Sequence, residues 1–361
     1  MSSIEIRPEG VTAKGAPTGE LDAARDALVR AHPEGSFFHL AGWERVVHQL
    51  FGHRVENLTA WRGDELVGFL PLMACRGLTG KRNLLSVPYA VYGGPLGDSP
   101  ETEAALMTAA GERGRQLGVG RVELRTRHAP RWEGLPTAPG LVPSDLYVTF
   151  EKELPDEVEG VLAEMPKKAR AEARKARKKH GLELSHGVWF VDDLYRLFLR
   201  NKRQLGSPGM PASLFYKMVA EFGTDCEVHL VRRGKEALAA VMTFAYGDTL
   251  MAYYSGTAEG ADRAYSASNF MYMALQEWAV AQGFKRFDFG RSRRDSGAMD
   301  FKRRQGFEAV DLEYRYLMVR ASELPSFTPS NPRTAVLRNT WSKLPMWAVR
   351  RMSGRLARFL P

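Results

Sequence analysis

The residues best suited to chemistry lie between 287 and 307, in the stretch FDFGRSRRDSGAMDFKRRQGF. An alternating apolar run carries one acid, Asp288, and ends at Gly290, where a bend rich in Ser and Gly follows. Such a bend is either a solvated basic loop or the rim of a site that binds an anion, since arginine forks match phosphate oxygens well. The cations around the bend are Arg291, Arg293, Arg294, Lys302, Arg303 and Arg304.

Asp288 is a candidate general base, or a residue that orients an amine. If Phe287 and Phe289 enter the core, strand alternation turns Asp288 to the opposite face, toward a groove. The alternative is a structural acid that caps the following loop or pairs with a nearby arginine. Candidates for binding substrate phosphates in the same loop are Arg291, Ser292 and Arg294.

Two further basic segments stand out against a net charge of +9. Residues 165–180 hold eight Lys or Arg and one Glu, with alanines between them, which predicts a helix. It is either a solvated face or a phosphate-binding helix for a nucleotide, a lipid diphosphate or an RNA backbone. The tail from 341 to 361 has a basic amphipathic pattern, which either docks on the protein or lies on an anionic membrane.

Other classes of site lack support in the sequence. The two cysteines form no CxxC, and the histidines have no metal spacing, so we predict neither a metal nor a bound cofactor. HExxH, GxxxxGK[ST] and GxSxG are absent. The longest apolar runs are about nine residues, against the roughly 20 that a spanning helix needs. With no signal-peptide pattern, we expect a cytoplasmic protein that contacts the inner face of the membrane at most peripherally.

The chain contains two similar halves, which indicates a tandem duplication. A helix, a glycine stop and a strand occur at 105–125 and again at 270–290, with the stops at Gly118 and Gly283. Each half also has a hairpin, turning at Gly63 or Gly234. Helices alternating with strands predict an α/β (α+β) fold with mixed sheets. We expect domain 1 at 1–155, domain 2 at 156–320 closed by the strand at 311–320, and a linker with the basic tail at 321–361.

The string RQLGVG at 115–120 matches the letters of an acetyl-CoA phosphate loop. That loop works only after a strand and before a helix, where N–H groups face the pyrophosphate. Here it follows a helix and precedes a strand, so it predicts a helix C-cap. Domain 2 has no such loop before the helix near Asn269, which weakens an acyl-CoA interpretation.

Five strings resemble the Fem-type (FemA/FemB) family of tandem GNAT-fold transferases, and most resemble the FemAB-like proteins associated with exosortase/PEP-CTERM and exopolysaccharide loci. The last of them, with DFGRS and FKxxxGF, is the most specific. Together they span both halves of the chain. The strings are GWERVVHQLFGHRVENLTAWRGDELVGFLPL (42–72), LLSVPYAVYGGPLGD (84–98), GVGRVELR (118–125), ARAEARKARKKHGLEL (169–184) and GFKRFDFGRSRRDSGAMDFKRRQGF (283–307).

The resemblance implies two GNAT domains and an active region in domain 2 that includes Lys302. Acyl transfer needs a stabilised oxyanion, so we predict that Lys302 is the cation over the developing oxyanion or over a substrate phosphate. The resemblance also implies that Arg170 and Arg174 of the basic helix face substrate phosphates, and that Tyr254, on the strand next to Asp288, orients the acceptor. Tyr92, before a Gly-Gly turn, either contacts substrate or only packs. Some lineages insert a coiled-coil arm for tRNA, but 155–185 is too short for one, so the donor stays open.

Three functions therefore compete. The first is a Fem-type N-acyltransferase that moves an aminoacyl or other acyl group, from aminoacyl-tRNA or acyl-CoA, to an amine of a phosphate-bearing peptidoglycan, cell-envelope or exopolysaccharide precursor. The second is an acyl-CoA-dependent acetyltransferase acting on exopolysaccharide. The third is a non-catalytic GNAT pair that binds nucleic acid or anionic membrane. Copy 1 has Glu123 where copy 2 has Asp288 but lacks FKxxxGF, so Lys302 is a better catalytic candidate than Asp288.

Overall fold

The computed structural model describes residues 3–9, 19–78, 80–324 and 332–361. The chain divides into two compact units. The first unit comprises Met1–Leu146, Leu312–Ser326 and Arg358–Pro361, and the second comprises Tyr147–Asp311 and Phe327–Ala357.

Helices and strands alternate along both units. The strands are β1 (Ile4–Glu9), β2 (Arg54–Val55), β3 (Asn57–Arg62), β4 (Glu65–Leu70), β5 (Met73–Arg76), β6 (Arg82–Leu85), β7 (Leu96–Gly97), β8 (Arg121–Leu124), β9 (Val142–Ser144), β10 (Tyr147–Thr149), β11 (Glu151–Glu153), β12 (Glu183–His186), β13 (Cys226–Arg233), β14 (Glu236–Tyr246), β15 (Thr249–Thr257), β16 (Arg286–Asp288), β17 (Ser292–Arg293), β18 (Val310–Asp311) and β19 (Tyr314–Met318). The helices are α1 (Gly19–Ala31), α2 (Ala41–Phe51), α3 (Pro100–Leu117), α4 (Val158–Glu164), α5 (Lys167–His180), α6 (Val191–Gln204), α7 (Ala212–Phe222), α8 (Ala261–Tyr265), α9 (Ala267–Ala281), α10 (Gly297–Arg304), α11 (Pro332–Lys343) and α12 (Met346–Leu356). Short 3-10 turns lie at Phe37–His39, Val188–Phe190, Gly223–Asp225 and Ala357–Phe359.

The first unit contains a four-stranded sheet, in the order β1-β3-β4-β7, and a six-stranded sheet, in the order β2-β5-β6-β8-β19-β9. Helix α3 packs on both β3 and β8. Its start is fixed by Ser99, whose hydroxyl accepts from the Thr102 N–H, and by a proline at its first position. It ends at Gly118, which adopts φ +62°. RQLGVG is therefore a helix C-cap, as its position in the sequence predicts.

The strand at 311–320 was wrongly expected to close domain 2. Strand β19 lies in the first unit, between β8 and β9 and antiparallel to both. Its pattern of apolar residues fits any half-buried strand, and the pattern does not specify the partner strand.

The second unit is built on a six-stranded sheet in the order β11-β16-β15-β14-β13-β12. One face packs against α5 and α9 over a core that includes Phe287, Phe289, Leu250 and Val241. The other face packs against α6 and α7. Helix α9 is apolar around most of its circumference, as expected for a helix buried between a sheet and another helix.

The two units repeat the same arrangement, as the sequence halves predict. Both contain an antiparallel hairpin whose turn glycine has positive φ, 63° at Gly63 and 57° at Gly234. In both, the strand after the long helix pairs in parallel with an earlier strand, so that Glu123 lies opposite Leu85 and Asp288 lies opposite Met251.

Within the described parts of the chain, none of the helices is both long and apolar enough to cross a lipid bilayer.

Candidate functional site

The site is centred where two parallel strands of the second unit separate. Strands β15 and β16 pair over three residues each, and the pairing ends at Met251 and Asp288. Strand β15 continues to Thr257, whereas the chain after Asp288 turns at Gly290, whose φ is +65°. The turn therefore needs a residue without a Cβ, and it carries the backbone of 289–291 away from the sheet.

The turn at Gly290 is held from two sides. The Asp288 carboxylate accepts a hydrogen bond of 2.5 Å from the Gly290 N–H. The Lys302 ammonium donates to the carbonyl oxygens of Phe289, Gly290 and Arg291 at 2.7, 2.8 and 3.2 Å. An ammonium group has three protons, so these three bonds use its whole donor capacity. Lys302 thus holds the loop in one conformation.

Lys302 is almost fully buried, with 9% of its surface exposed. Its ammonium also lies 5.2 Å from the ring centre of Phe150 and 5.5 Å from that of Phe289. Burial lowers the pKa of Lys302 from 10.5 to about 7, and the nearby Asp288 carboxylate acts in the opposite direction. A lysine with such a pKa changes its charge near neutral pH, which is unusual for a surface lysine.

Two cations near this loop influence each other electrostatically. The Arg291 guanidinium lies 4.5 Å from the ring centre of Tyr147. Burial lowers the pKa of Lys202, and the positive charge of Arg291 lowers it further. Lys202 lies over the Phe198 ring at 5.4 Å, and no carboxylate pairs with it in the described residues. A buried cation without a carboxylate partner favours an anion beside it.

Sequence reasoning missed Lys202. It lies in the last turn of α6, where a cation is usual because it complements the helix dipole. Its sequence context therefore gives no functional signal. The signal is tertiary, since α6 packs on β14 and β15 and brings Lys202 within electrostatic reach of Arg291.

Asp288 lies where alternation predicts, but it is not open to a groove. Phe287 and Phe289 enter the core, as expected, and Asp288 points to the opposite face. However, its side chain is completely buried, with 0% exposed. The expectation of an outward-pointing acid is thus corrected, because the loop that Asp288 caps covers it.

Tyr254 lies on the strand next to Asp288, in the order that the resemblance implies. It is buried among aromatic rings of α6, α7 and β14, with centroids 5.8 Å from Phe198, 5.2 Å from Phe215 and 6.4 Å from Phe244. Phe198 thus contacts both Tyr254 and Lys202. Tyr254 lies on the same face of the sheet as this cation.

The other predicted loop residues differ in their surroundings. Arg294 forms an exposed ion pair of 2.6 Å with Asp311. Ser292 is 5% exposed on β17, opposite Val148, and its hydroxyl has no hydrogen-bond partner among the described residues. Arg294 is therefore neutralised at the surface, whereas Ser292 is buried without a hydrogen-bond partner for its hydroxyl in the described part of the chain.

The basic segment is a helix, α5, as predicted. Ala169, Ala173 and Ala176 face the core, which leaves most of the cations exposed. Arg170 donates to the Ala163 carbonyl at 3.1 Å and so ties α5 to the end of α4. Arg174 is exposed and has no ion pair in the described residues. The expected role of these two arginines in binding substrate phosphates stays a prediction.

Tyr92 belongs to the first unit and lines a small cavity there of about 110 Å³. It is 3% exposed, with the Arg127 guanidinium 4.5 Å from its ring centre and the Phe38 ring tilted against it at 6.2 Å. His39, Glu103 and other polar residues also line this cavity. Burial by packing is evident, and a substrate contact stays a prediction.

The N-termini of α3 and α9 already hold acids of this chain. At α9, Asp262 accepts from the Ser268 N–H at 2.7 Å and from its hydroxyl at 2.9 Å. At α3, Asp98 accepts from the Thr102 hydroxyl at 2.7 Å. An anion usually binds at such termini because backbone N–H groups and the helix dipole favour negative charge. A pyrophosphate would have to displace these carboxylates.

The basic tail packs partly on the second unit. Val349 and Ser353 of α12 are buried, and the Ser353 hydroxyl accepts a 3.1 Å hydrogen bond from the Gly209 N–H. Arg350 lies over the Tyr195 ring of α6 at 5.6 Å. The opposite face of α12 exposes Trp347, at 72%, together with Met352, Arg351 and Arg355.

Comparisons with known proteins agree with this fold. Residues 163–303 match the family model described as an acetyltransferase (GNAT) domain. The chain is similar to a solved structure of FemX, with a TM-score of 0.66 and 13% identity over 86% of this chain and 98% of that one. A tandem GNAT protein from the clavulanic acid biosynthesis pathway gives 0.55 and 12% over 89% and 100%. L-PGS from Bacillus licheniformis gives 0.52 and 14% over 92% and 100%.

At such identities these likenesses show the fold, which consists of two GNAT-like domains with mixed sheets flanked by helices. No curated protein matches the sequence significantly. The FemX likeness agrees with the Fem-type resemblance of the sequence strings. The exosortase-associated subgroup stays a prediction.

Proposed function

We propose that this protein is a Fem-type N-acyltransferase that moves an aminoacyl or other acyl group to an amine of a phosphate-bearing cell-envelope or exopolysaccharide precursor. The observation that carries the proposal is the gap where β15 and β16 separate, beside the turn at Gly290 that Lys302 holds, together with Lys202 over Phe198, a cation without an ion pair in the described residues. This arrangement offers a place for a phosphate next to the gap between β15 and β16. The GNAT family model covers this same region.

The reaction needs alignment, loss of a proton from the amine and stabilisation of the oxyanion. The amine nitrogen attacks the acyl carbonyl carbon, the carbon–oxygen or carbon–sulfur bond to the donor breaks, and the proton of the amine ends on the leaving group. In our proposal Lys202 and Arg291 bind the phosphates of one substrate. Tyr254 lies on the same face of the sheet as Lys202, and both side chains contact the Phe198 ring. Tyr254 is therefore our candidate for orienting the acceptor.

Lys302 and Asp288 act as positioning residues in this scheme. All three ammonium protons of Lys302 point at backbone carbonyls, so contact with an oxyanion would require the loop to open. Asp288 is buried and holds the Gly290 N–H. Their interactions fix the backbone of the loop that carries Arg291.

The occupied helix N-termini favour a Fem-type donor over acyl-CoA. A coenzyme pyrophosphate would compete with Asp262 at α9 and with Asp98 at α3, and each contact would place negative charges together. Aminoacyl-tRNA, whose phosphates follow a long backbone, can use scattered cations such as Arg174 instead. Acyl-CoA remains the alternative donor.

The test is a transfer assay on the full chain. Purified protein is incubated with acetyl-CoA or with mixed aminoacyl-tRNA, together with a nucleotide-linked peptide precursor that bears a free lysine amine, and the mass of the precursor is measured. We expect a mass increase with aminoacyl-tRNA. The Lys202→Gln variant should raise KM at least about tenfold, since a charged hydrogen bond contributes about 1.5–3 kcal/mol.

The matched control is Lys235→Gln, which removes an exposed cation at the turn between β13 and β14. It should behave as the wild type. Equal KM values for Lys202→Gln and the wild type would remove the cation pair from the proposal. Transfer from acetyl-CoA alone would select the alternative donor, and no transfer from any donor would favour a non-catalytic GNAT pair.

We also propose that the outer face of α12 contacts anionic membrane peripherally. Trp347 and Met352 supply exposed apolar surface, and Arg351 and Arg355 supply positive charge on the same helix. The full chain should float with vesicles that contain phosphatidylglycerol, and a Trp347→Ala, Arg351→Gln variant should float less. Equal flotation of the two proteins would contradict this contact.

A further inference from the structure

A second basic groove lies in the first unit, at the edge of its six-stranded sheet. Its volume is about 490 Å³. The ends of β2, β5, β6 and α3 form it together with the final residues of the chain. We call it the arginine groove. The residues that matter here are Arg54, Arg76, Arg82, Leu117, Arg358 and Phe359.

The charge of the arginine groove has one sign. Four arginines line it, and neither aspartate nor glutamate is among its described lining residues. A concave surface with one sign of charge concentrates the electrostatic potential and raises the local concentration of counter-ions. The volume is in the range of small-ligand sites.

Two of the arginines face each other directly. Arg76 and Arg82 are register partners in the antiparallel pair β5–β6. Like charges directly opposite on neighbouring strands destabilise a sheet. Both residues are exposed, and in the part of the chain that the structure describes neither forms an ion pair. This arrangement costs stability unless an anion lies between the two guanidinium groups.

The acid that pairs with Arg54 of the groove is Glu56. Glu56 is buried, and one of its carboxylate oxygens accepts from Arg54 while the other accepts from Arg113 at 2.7 Å. Arg54 is thus neutralised, whereas Arg76 and Arg82 form no ion pair with Glu56. An anion from outside the chain would relieve the repulsion between the opposed arginines.

His53 also lines the groove and lies in the positive field of Arg358. Burial, together with the positive charges of Arg358 and His48, lowers the pKa of His53 to about 4. His53 is therefore neutral at pH 7 and contributes no charge of its own. Leu117 and Phe359 provide apolar surface beside the cations.

We propose that the arginine groove binds the phosphate or diphosphate group of a small ligand that also carries an apolar or ring-shaped part. Arg76 and Arg82 hold the phosphate oxygens as paired forks, Arg358 adds charge, and Phe359 and Leu117 contact the rest of the ligand. The source of the phosphate is either a soluble phosphorylated metabolite or the headgroup of a phospholipid. This site goes beyond the proposed transfer reaction and does not depend on it.

The experiment is isothermal titration calorimetry of the full chain at low ionic strength with two probes. Inorganic pyrophosphate tests the soluble source. Dihexanoyl-phosphatidylglycerol below its micelle concentration tests the headgroup without offering a membrane surface to α12. We expect at least one probe to bind, and Arg82→Gln to weaken that binding at least about tenfold. Lys235→Gln, the control in another hairpin turn, should bind as the wild type.

Thermal unfolding gives a second test, in which the substitution that weakens binding should not destabilise the free protein. Without ligand, Arg82→Gln should melt at the same temperature as the wild type or higher, because the opposed like charges are gone. The bound probe should raise the melting temperature of the wild type but not that of the variant. Arg76→Gln repeats the test should Arg82→Gln fold poorly.

The two probes distinguish a soluble phosphorylated ligand from a lipid headgroup. Pyrophosphate binding that depends on Arg82 supports a soluble ligand, and phosphatidylglycerol binding that depends on Arg82 supports a lipid headgroup. Binding of neither probe overturns the proposal, as does binding that is unchanged in Arg82→Gln and Arg76→Gln. None of these readouts involves acyl transfer, so their result is independent of the transfer assay.

Discussion

Replacing Lys302 by methionine tests the central structural claim, which is that a buried ammonium holds the loop at 289–291. Methionine keeps the length and the apolar stem but removes the three donors. The carbonyls of Phe289, Gly290 and Arg291 then lose their partner. Each unsatisfied buried acceptor costs about 1–3 kcal/mol, and relief of the buried charge offsets part of that cost. We expect a net loss of about 3–5 kcal/mol at pH 7.

The pH dependence of this loss is more specific than its size. The pKa of Lys302 falls from 10.5 in the unfolded chain to about 7 in the folded one. Between these values the unfolded chain binds one more proton, so the stability of the wild type rises with pH by about 1.4 kcal/mol per unit. The Met variant lacks this contribution. The difference between the two proteins should therefore be about 2–3 kcal/mol larger at pH 9 than at pH 6, and it should be constant below pH 6.

The assay is urea unfolding followed by far-ultraviolet circular dichroism, at several values of pH from 5 to 9. Because the chain has two units, the comparison uses the transition that responds to the substitution. Lys235→Met, at an exposed turn, is the control and should show no such pH dependence. A difference that stays flat from pH 6 to pH 9 would refute the lowered pKa. A loss below about 1 kcal/mol at every pH would refute the loop-holding role.

Three further predictions concern packing, surface charge and acid stability. Gly256→Ala should destabilise the second unit by more than about 3 kcal/mol, because a Cβ at this position would lie 2.4 Å from the Phe198 backbone nitrogen. The control is Gly297→Ala, since a Cβ at Gly297 would have no heavy atom within 4 Å. Urea unfolding checks both, and equal stabilities would contradict this reasoning. Arg294→Ala should change stability by less than about 0.5 kcal/mol, because its ion pair is exposed, and a larger loss would show a hidden contact. The free energy of unfolding should fall as the pH drops from 6.5 toward 4, because burial lowers the pKa of His39 to about 4 and only the unfolded ring takes up a proton in this range. In His39→Gln the free energy of unfolding should depend less steeply on pH. An unchanged dependence would exclude His39 as the cause.

Much of the fold could be predicted because its signals are local. The caps of α3, the hairpin turns at Gly63 and Gly234 and the burial of Phe287 and Phe289 all follow from backbone preferences and strand alternation over a few residues. The same order of hairpin, helix, glycine stop and strand in both halves of the chain supports each of these local predictions. The partner of β19 could not be predicted in this way, since an apolar pattern does not name the strand beside it.

The candidate site, too, could be predicted only in part from the sequence. The sequence by itself determined that residues 287–307 combine a core strand, a glycine turn and a cluster of cations. Only the tertiary structure decided which partner each of these cations has. Lys302 turns inward to three carbonyls, Arg294 pairs at the surface, and Lys202, from a helix distant in sequence, comes within electrostatic reach of Arg291. The physical reason is that burial and charge proximity depend on the path of the whole chain, whereas residue type and spacing report only on neighbours.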